Sequence, residues 1–503
     1  MKPVLREREM VREREIMSAT FENRIAGAGN GGRPRIVVIG GGFSGAAFAV
    51  HLALATPCAD IEVIEPRAMA GGGLAYSTAD LVHRINVPSS RMSLYPGDET
   101  HFHRWLERSG AAGALDDATT CDGRCFPPRI LFGRYVADEF ARVARATGRL
   151  AHVRARALSV RAEEAGYAVV LDDDSVRHAD VVVLALSHPP PVAPSVLAGL
   201  AGADGFVADA WQAGALETIR ADARVLIVGT GLTMADVVAT LDSHGHRGPI
   251  TALSRRGLTS RGHGAGTGGR LGDFSSAPAT SAVGLLRAVR AALRDGDVAG
   301  RPWQHVLDAV RDQGTAVWSA LPADERRRLV RHLRPYWDVH RFRIAPQTEA
   351  ILERRRREGT LRVVAASLRA AGRTADGFEI AIRPRGTDAV VRACYDAVVV
   401  TTGPGHGGIF RTNPALASLA EAGLAGPDPV GLGIHVDRES RVVAVDGRRI
   451  DDLLVVGPLA RGTFGELMGV PEVARHAETV AESLAAGLEG RESAGKGREQ
   501  ARH

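Results

Sequence analysis

Two stretches of the chain share a pattern in which an unbroken apolar run is followed by a glycine-rich turn and a helix of small apolar residues. In the first stretch, residues 36–39 form the apolar run, residues 40–45 the turn and residues 46–55 the helix. The segment DIEVIEP follows and predicts the next strand. Unbroken apolar strands are typical of parallel sheets that are covered on both faces. The pattern therefore predicts a βαβ unit near the N-terminus.

The same pattern returns later in the chain. Residues 224–228 predict a strand, residues 229–234 a turn and residues 235–241 a helix, which the strand ITALSRR follows. After each unit come alternating strand segments and a closing apolar strand, VVVLALS for the first unit and YDAVVVTTGPG for the second. This repeat predicts an α/β protein with two Rossmann-like, three-layer domains.

Between the second unit and its closing strand the apolar spacing changes to three and four residues, which predicts a helical insertion over residues 277–358. The last unit, LLVVG with the helix behind it, is expected to return to the first domain, so that the second domain is inserted in the first. The predicted boundaries are 1–33 for a disordered N-terminal extension, 34–190 and 385–487 for the two parts of the first domain, 191–384 for the second domain, and 488–503 for a disordered tail.

Composition and charge narrow the class of protein. The 503 residues suffice for two or three domains, and the net charge of +5 is spread along the chain, so we expect no nucleic-acid partner. Four cysteines form no disulfide framework and indicate a reducing compartment, so we expect the cytoplasm. No apolar run approaches the ~20 residues that span a bilayer. We expect a small-molecule substrate, and the oligomeric state stays open.

The first turn carries the motif Gly-x-Gly-x-x-Gly, which in a βαβ unit is typical of dinucleotide binding. Its first glycine permits the tight turn, its second lets the backbone approach a pyrophosphate, and its third lets the helix pack on the strand. The positive end of the helix then faces the phosphates. An acid at the end of the next strand can accept a hydrogen bond from a ribose hydroxyl. The predicted contacts of this first site are Gly40, Gly42, Phe43, Ser44, Gly45 and Glu65.

The second turn has the same first two glycines, but Met234 occupies the third position. The strand after it ends on the segment SRR, where an NADH-binding domain usually keeps an acid. Two guanidinium groups and a hydroxyl can bind the 2′-phosphate of NADPH, which an acid would repel. A pair of exposed arginines without a ligand is the alternative. The predicted contacts of this second site are Gly229, Gly231, Ser254, Arg255 and Arg256.

Two dinucleotide sites with different groups at the ribose predict two different cofactors. The first site, with its acid and the returning C-terminal strand, suits FAD, and the second site suits NADPH. The resulting hypothesis is an FAD- and NADPH-dependent oxidoreductase in which the cofactors carry the electron transfer.

Several stretches together resemble a bacterial family of FAD/NAD(P)-binding oxidoreductases, largely uncharacterised and related to the class B flavin-dependent monooxygenases. The resemblance covers about residues 34–487. The stretches are IGGGFSGAAFAVHL, INVPSSRMSLYPGDETHFHRWL, FPPRILFGRYV, GTGLTMADVV, SRRG, WDVHRFRIAP and VGPLARGTFGELMGVPEV.

The resemblance implies further cofactor contacts. It implies that the segment 86–92 lies near the isoalloxazine ring, that Arg129 and Tyr135 belong to the segment that follows, and that the helix beginning near Pro471 directs its positive end at the flavin. Many flavoproteins have an aspartate after the C-terminal strand, where this chain has Pro458. The additional contacts predicted are Asn86, Val87, Met92, Gly403, Gly457 and Pro471.

Other features leave the reaction open. The class B fingerprint F-x-G-x-x-x-H-x-x-x-W is absent, because Val207 and Ala203 stand at its histidine and glycine positions before Trp211. The main hypothesis is a monooxygenase-like enzyme that acts on a small molecule. The alternatives are an NADPH oxidase or reductase with an acceptor other than oxygen, and a flavoprotein redox sensor without turnover. No catalytic side chain is identified.

Three smaller groups of residues carry alternatives of their own. Cys121 and Cys125 are either two loop thiols or a redox pair. The segments HFHRW and HGH lack the ligand set of a metal site, so no metal is predicted. The polar and aromatic residues of WDVHRFR, in the helical insertion, either face the substrate or pack the insertion.

Overall fold

The computed structural model describes residues 33–110, 117–186, 189, 191–264, 269–403, 405 and 408–500. The predicted N-terminal extension lies outside these residues except for Arg33. None of the described helices is both long enough and apolar enough to cross a membrane.

The strands are numbered in chain order over the described residues. They are β1 (Arg35–Ile39), β2 (Asp60–Ile64), β3 (Leu150–Val153), β4 (Ala157–Ala162), β5 (Tyr167–Leu171), β6 (Val176–Ala179), β7 (Val181–Leu184), β8 (Phe206–Val207), β9 (Val225–Val228), β10 (Ile250–Ser254), β11 (Leu361–Thr374), β12 (Gly377–Pro384), β13 (Val391–Tyr395), β14 (Ala397–Val400), β15 (Arg441–Val443) and β16 (Arg449–Val455).

The α-helices are numbered in the same way. They are α1 (Phe43–Ala55), α2 (His101–Arg108), α3 (Arg129–Thr147), α4 (Leu232–Ser243), α5 (Ala282–Val298), α6 (Trp303–Asp312), α7 (Gly314–Ala320), α8 (Ala323–His332), α9 (Arg334–Arg341), α10 (Pro346–Arg357), α11 (Ile409–Thr412), α12 (Pro414–Glu421), α13 (Arg461–Phe464) and α14 (Val470–Gln500).

The first sheet has the order β15-β16-β7-β1-β2-β3, and its inner strands pair in parallel. Alternate residues of β1 point to opposite faces, so Ile36 and Val38 join one core with α1, α3 and α14, while Val37 and Ile39 join a second core with β4–β6 and α12. The two cores account for the unbroken apolar strands that the sequence shows. The predicted three-layer α/β fold is confirmed for this domain.

The second sheet has the order β13-β12-β11-β10-β9-β14-β8, with β9, β10, β14 and β8 parallel and a meander at the other edge. Its strands all lie between Phe206 and Val400, whereas β15 and β16 pair with the first sheet. The second domain is therefore inserted in the first, as the sequence predicts. Because β13 and β14 belong to this sheet, it extends beyond residue 384, where the sequence placed the boundary.

The helical insertion is shorter than the 277–358 predicted from its spacing. Helices α5 to α9 form a small core of their own around Leu285, Val306 and Val317. Helix α10 instead supplies Leu352 to the core of the second domain and connects the parallel strands β10 and β11. The periodicity could not separate the two, because a crossover helix and an insertion helix share the same apolar spacing.

The C-terminal helix α14 continues to Gln500, over most of the 488–503 stretch for which the sequence predicts a disordered tail. Leu484 and Leu488 are buried in the first domain's core. Beyond Leu488 the sequence EGRESAGKGREQ is polar but contains many good helix formers, so a helix anchored in the core can extend into it.

Candidate dinucleotide sites and the cavity between them

One cavity of about 1170 Å³ lies at the carboxyl ends of the parallel strands of both sheets. This is where open α/β sheets usually bind their ligands. The first domain lines it with Gly40, Gly42, Phe43, Ser44, Glu65, Asn86, Val87 and Met92. The second domain lines it with Leu232, Thr233, Asp236, Thr401, Thr402 and Gly403. The helical insertion adds Gln304, His305, Asp308, Arg311 and Arg341.

The three glycines of the first motif have different roles. Gly40 has a φ of +103°, and a Cβ there would lie 2.5 Å from the carbonyl oxygen of Ala185. A Cβ on Gly45 would overlap the carbonyl oxygen of Gly40. Gly42 is different, because its Cβ would meet only the Cα of Gly73, at 3.4 Å. The fold itself requires Gly40 and Gly45, whereas Gly42 leaves open space toward the cavity.

The start of α1 fits the diphosphate of a dinucleotide. Gly42 is its N-cap, no side chain caps its first N–H groups, and its first turn holds no acid. Unsatisfied N–H groups at a helix N-terminus bind anions. The residues present therefore fit the pyrophosphate of FAD.

The carboxylate of Glu65 is held in place at the end of β2. Its Oε2 accepts from the backbone N–H of Gly41 at 3.1 Å, and its Oε1 accepts from the guanidinium of Arg67 at 2.9 Å. Glu65 is buried yet lines the cavity, where a ribose hydroxyl could reach it. Arg67 was not among the predicted residues, although its position two residues after the acid could have suggested this ion pair.

The segment with Asn86, Val87 and Met92 forms the wall deep in the first domain. The carbonyl oxygen of Asn86 accepts a hydrogen bond of 3.0 Å from Nε2 of His263. Burial, with Arg343 nearby, lowers the pKa of His263 to about 4, so the ring is neutral at pH 7. His263 therefore ties a loop of the second domain to this wall, a contact that the sequence analysis did not find.

Some of the residues predicted near the C-terminal unit line the cavity, and others lie behind its lining. Gly403 and Pro458 line the cavity, whereas Gly457 and Pro471 are not among its lining residues. Gly457 has a φ of +90° and lies against the side chain of Ser44. It supports the first turn from behind.

His476 holds the backbone at Gly457. The N–H of Gly457 donates to Nδ1 of His476 at 3.2 Å, and Nε2 of the same ring contacts the hydroxyl of Ser440 at 2.8 Å. Burial lowers the pKa of His476 to about 4, which keeps the ring neutral. Because Nδ1 accepts from Gly457, Nε2 carries the proton and donates to Ser440. The role of His476 could not be predicted from the sequence, because a lone histidine inside a helix gives no signal of its partners.

The N-terminus of α14 faces the cavity and is joined to the helical insertion by buried ion pairs. Gly469 and Val470 line the cavity. The carboxylate of Glu472 accepts from Arg311 at 2.6 and 2.9 Å, and Glu466 accepts from Arg341 at 2.7 Å. Burial opposes ionisation of Glu472, but Arg311 lowers its pKa overall. These pairs connect residues that are far apart in sequence, so no local motif could reveal them.

The second motif repeats the geometry of the first. Gly229 has a φ of +125°, and a Cβ there would overlap the carbonyl of Thr401. Gly231 is the N-cap of α4, and a Cβ on it would meet nothing within 4 Å. Met234, where the motif has no glycine, is buried in the domain's core. The start of α4 therefore also offers free N–H groups to a diphosphate.

The SRR segment lies at the end of β10, beside the second motif but outside the residues that line the cavity. The hydroxyl of Ser254 accepts from Thr230 at 2.8 Å and from the N–H of Gly257 at 3.0 Å. Arg255 is exposed. The guanidinium of Arg256 lies over the ring of Tyr336, 5.8 Å from its centroid. A helix of the insertion thus reaches the place where the adenosine end of NADPH is predicted.

The remaining candidate residues from the sequence are the two cysteines, the polar and aromatic residues of the insertion, and possible metal ligands. Cys121 is exposed and Cys125 is buried. In the insertion, Trp337 packs on the small core and Asp338 pairs with Arg334, whereas Arg343 lines the cavity. Over the described residues, no group of three or more metal-ligating side chains comes together.

We compared the chain with known protein families and with curated proteins. Residues 37–189 match a protein family described as FAD-NAD(P)-binding. This match supports the resemblance over the first part of the chain. No curated protein is significantly similar to the chain.

Solved structures share the fold over most of the chain. L-lysine 6-monooxygenase from Pseudomonas syringae is 18% identical with a TM-score of 0.60, over 90% of this chain and 100% of its own. The FAD-bound cadaverine monooxygenase of desferrioxamine biosynthesis from Erwinia amylovora is 13% identical with a TM-score of 0.60, over 92% and 95%. Ornithine N-hydroxylase from Kutzneria, with reduced FAD, NADP+ and L-ornithine, is 15% identical with a TM-score of 0.59, over 92% and 100%. At these identities the likeness shows the fold.

The fold and the site define a protein with two Rossmann-like dinucleotide-binding domains. The family match covers the first part of the first domain, residues 37–189, and the fold match covers both domains.

We predict that Gly42→Val removes most of the bound flavin without unfolding the protein. The fold leaves room at this position, but the added side chain would occupy the approach of the pyrophosphate. Steric overlap costs about 1–3 kcal/mol, or roughly ten- to hundredfold in affinity. Flavin absorbance per protein, together with the melting temperature, measures the effect. Gly97→Val, at an open position away from the cavity, is the control, and full flavin occupancy in Gly42→Val contradicts the assignment.

We also predict that a Cys121→Ser, Cys125→Ser double variant is reduced by NADPH at nearly the wild-type rate. The different burial of the two thiols favours their interpretation as separate loop residues. Stopped-flow absorbance under anaerobic conditions checks this. A loss of more than about tenfold, ~1.4 kcal/mol in the barrier, would revive the redox-pair hypothesis.

Proposed function

We propose that the protein is an FAD-containing, NADPH-dependent oxidoreductase of the monooxygenase type, acting on a small molecule in the cytoplasm. The observation that carries the proposal is that one cavity receives the N-terminal regions of both α1 and α4. Two helix N-termini directed at a shared cavity can hold two dinucleotides with their reactive rings close together. Under this proposal the predicted site residues keep the roles that the sequence assigned to them, except for Gly457 and Pro471, which do not line the cavity.

Bound FAD would supply two-electron chemistry between NADPH and a final acceptor such as oxygen. The residues of the chain bind and orient the cofactor. The N–H groups at the start of α1 would bind its pyrophosphate, and the carboxylate of Glu65, which the N–H of Gly41 and Arg67 hold in place, would accept from its ribose. The insertion contributes Arg311 and Arg341 to the lining of the cavity, where both are paired with glutamates of the C-terminal unit.

The substrate class to test first is that of small amines. The structures that share the fold are named for lysine, cadaverine and ornithine, all of which carry a primary amine. The cavity is lined by Gln304, whose amide oxygen can accept from an amine, and by Asp308, whose carboxylate also accepts from Arg343 at 2.9 and 3.2 Å.

An oxidase or reductase without oxygen insertion remains the second candidate. The absence of the class B fingerprint around Trp211 favours it, since Val207 replaces the histidine. A sensor without turnover would bind flavin but show no reduction by NADPH.

The test of the proposed function is anaerobic reduction followed by product analysis. Purified protein should be yellow, and NADPH should bleach it in the absence of oxygen. On admission of air, substrate-dependent NADPH consumption with a hydroxylated product supports the monooxygenase. Bleaching that gives only hydrogen peroxide in the presence of every amine tried supports the oxidase, and a yellow protein that NADPH never bleaches refutes the proposal.

The preference for NADPH is predicted to depend on Arg255 and Arg256. Alanine at either position should weaken the binding of NADPH by about 1.5–3 kcal/mol for a lost charge-assisted bond, which is roughly ten- to hundredfold in affinity. NADH, which lacks the 2′-phosphate, should be unaffected. Anaerobic flavin reduction with each donor gives both affinities.

Gly231→Val is the matched comparison, because it lies on the pyrophosphate path that the two donors share and has open space around it. It should weaken the binding of NADPH and NADH equally. If the arginine variants also weaken the binding of both donors equally, the arginines contact the part of the cofactor that the donors share. If the binding of neither donor weakens, the second site loses its main support.

A further inference from the structure

One buried ion pair joins the two dinucleotide domains inside the wall of the cavity. Arg129, the first residue of α3 in the first domain, donates from Nη1 and Nη2 to the two carboxylate oxygens of Asp236, at 2.9 and 3.0 Å. Asp236 lies in the second turn of α4, the helix that starts at the second glycine motif. Both residues are more than nine-tenths buried, and both line the cavity.

The guanidinium of Arg129 is held in one orientation. Its Nε donates to the carbonyl oxygen of Arg84 at 2.7 Å, and its plane lies near Trp211, 5.7 Å from the ring centroid. A guanidinium with two bonds to a carboxylate and a third to the backbone has little freedom left. Asp236 is therefore held by a rigid partner of the other domain.

A second contact lies one turn further along the same face of α4. The hydroxyl of Thr240 donates to the carboxylate of Asp80 at 2.6 Å and accepts from Nε2 of His83 at 2.9 Å. Burial lowers the pKa of His83, which favours its neutral form. Thr78 completes the chain at Nδ1 of His83, at 2.9 Å. Residues four apart share a helix face, so α4 is attached to the first domain at two successive points.

We propose that Arg129 and Asp236 are positioning residues that hold α4, and with it the nicotinamide cofactor, at one orientation to the first dinucleotide site. The inference rests on the proposed function, because it assumes a dinucleotide at the start of α4. Asp236 follows Gly231 by five residues, about 7.5 Å along the helix axis. A rotation of the second domain would break the ion pair and move this helix start away from α1.

The charges give the proposal a specific signature. Asp236 places a negative charge in the helix that is expected to bind an anionic diphosphate, and Arg129 cancels that charge. Removal of Arg129 alone would leave a buried carboxylate without a partner, which is more damaging than the loss of the pair as a whole. The double variant is therefore expected to bind NADPH more tightly than the variant that lacks only the arginine.

The experiment compares Arg129→Gln, Asp236→Asn and the double variant in flavin-loaded protein. Arg224→Gln is the control, because it breaks an exposed bidentate pair with Asp396 inside the second domain. Anaerobic reduction separates the dissociation constant of NADPH from the limiting rate. Hydrogen exchange of residues 78–84 and 232–243 measures the domain contact without turnover.

We expect Arg129→Gln to weaken NADPH by about tenfold or more and to speed exchange in both segments, because breaking a buried pair exposes an uncompensated charge. The double variant should recover most of the lost affinity, a non-additive result typical of residues in direct contact. The limiting rate should fall in all three variants, since each loosens the orientation of α4. The control should match the wild type in every measurement.

The proposal is wrong if the single variants match the control in hydrogen exchange and in flavin reduction. It is also wrong if the loss of NADPH affinity in the double variant equals the sum of the losses in the two single variants. If Arg129→Gln does not fold, Asp236→Asn tests the same contact with a side chain of equal shape. A wild-type protein that NADPH does not reduce would overturn the proposed function instead. Exchange in the two segments would still show whether the ion pair holds the domains together.

Discussion

Each dinucleotide turn depends on the close approach of its first glycine to the backbone that follows the closing strand of its own sheet. Gly40 lies against Ala185, directly after β7, and Gly229 lies against Thr401, directly after β14. No side chain fits between the two backbones, and the positive φ of both glycines turns the chain directly into a helix. The open start of the helix, which is the candidate anion site, follows from this constraint in both domains.

The insertion of one domain into the other determines where the two sites meet. Because β15 and β16 return to the first sheet, the second domain is tied to the first at both of its ends. The carboxyl ends of both sheets then face one cavity, with the helical insertion on a further side. The buried pairs of Arg129, Arg311 and Arg341 join these three parts, and each pair connects elements that are remote in sequence. The site is therefore a property of the assembled domains.

Much of the candidate cofactor site could be predicted because its signals are local. The positions of Gly42 and Glu65 follow from one βαβ unit, whose spacing is set by strand and helix geometry. The supporting residues could not be predicted in this way. His476 holds Gly457 from a different helix, and His263 reaches Asn86 from the other domain. Such contacts depend on how the chain returns to itself, and a single sequence holds no periodic signal for that.

The sequence by itself determined the two Rossmann-like units, their order along the chain, and the exchange of an acid for SRR between them. These features follow from short-range patterns of apolar residues, glycines and charges. Only the tertiary structure decided that the second domain extends past residue 384 to include β13 and the closing strand β14, and that α10 is a crossover helix rather than part of the insertion. It also decided which arginines face the cavity. The physical reason is that strand pairing and ion pairing join residues of any separation, and burial alone selects which partners meet.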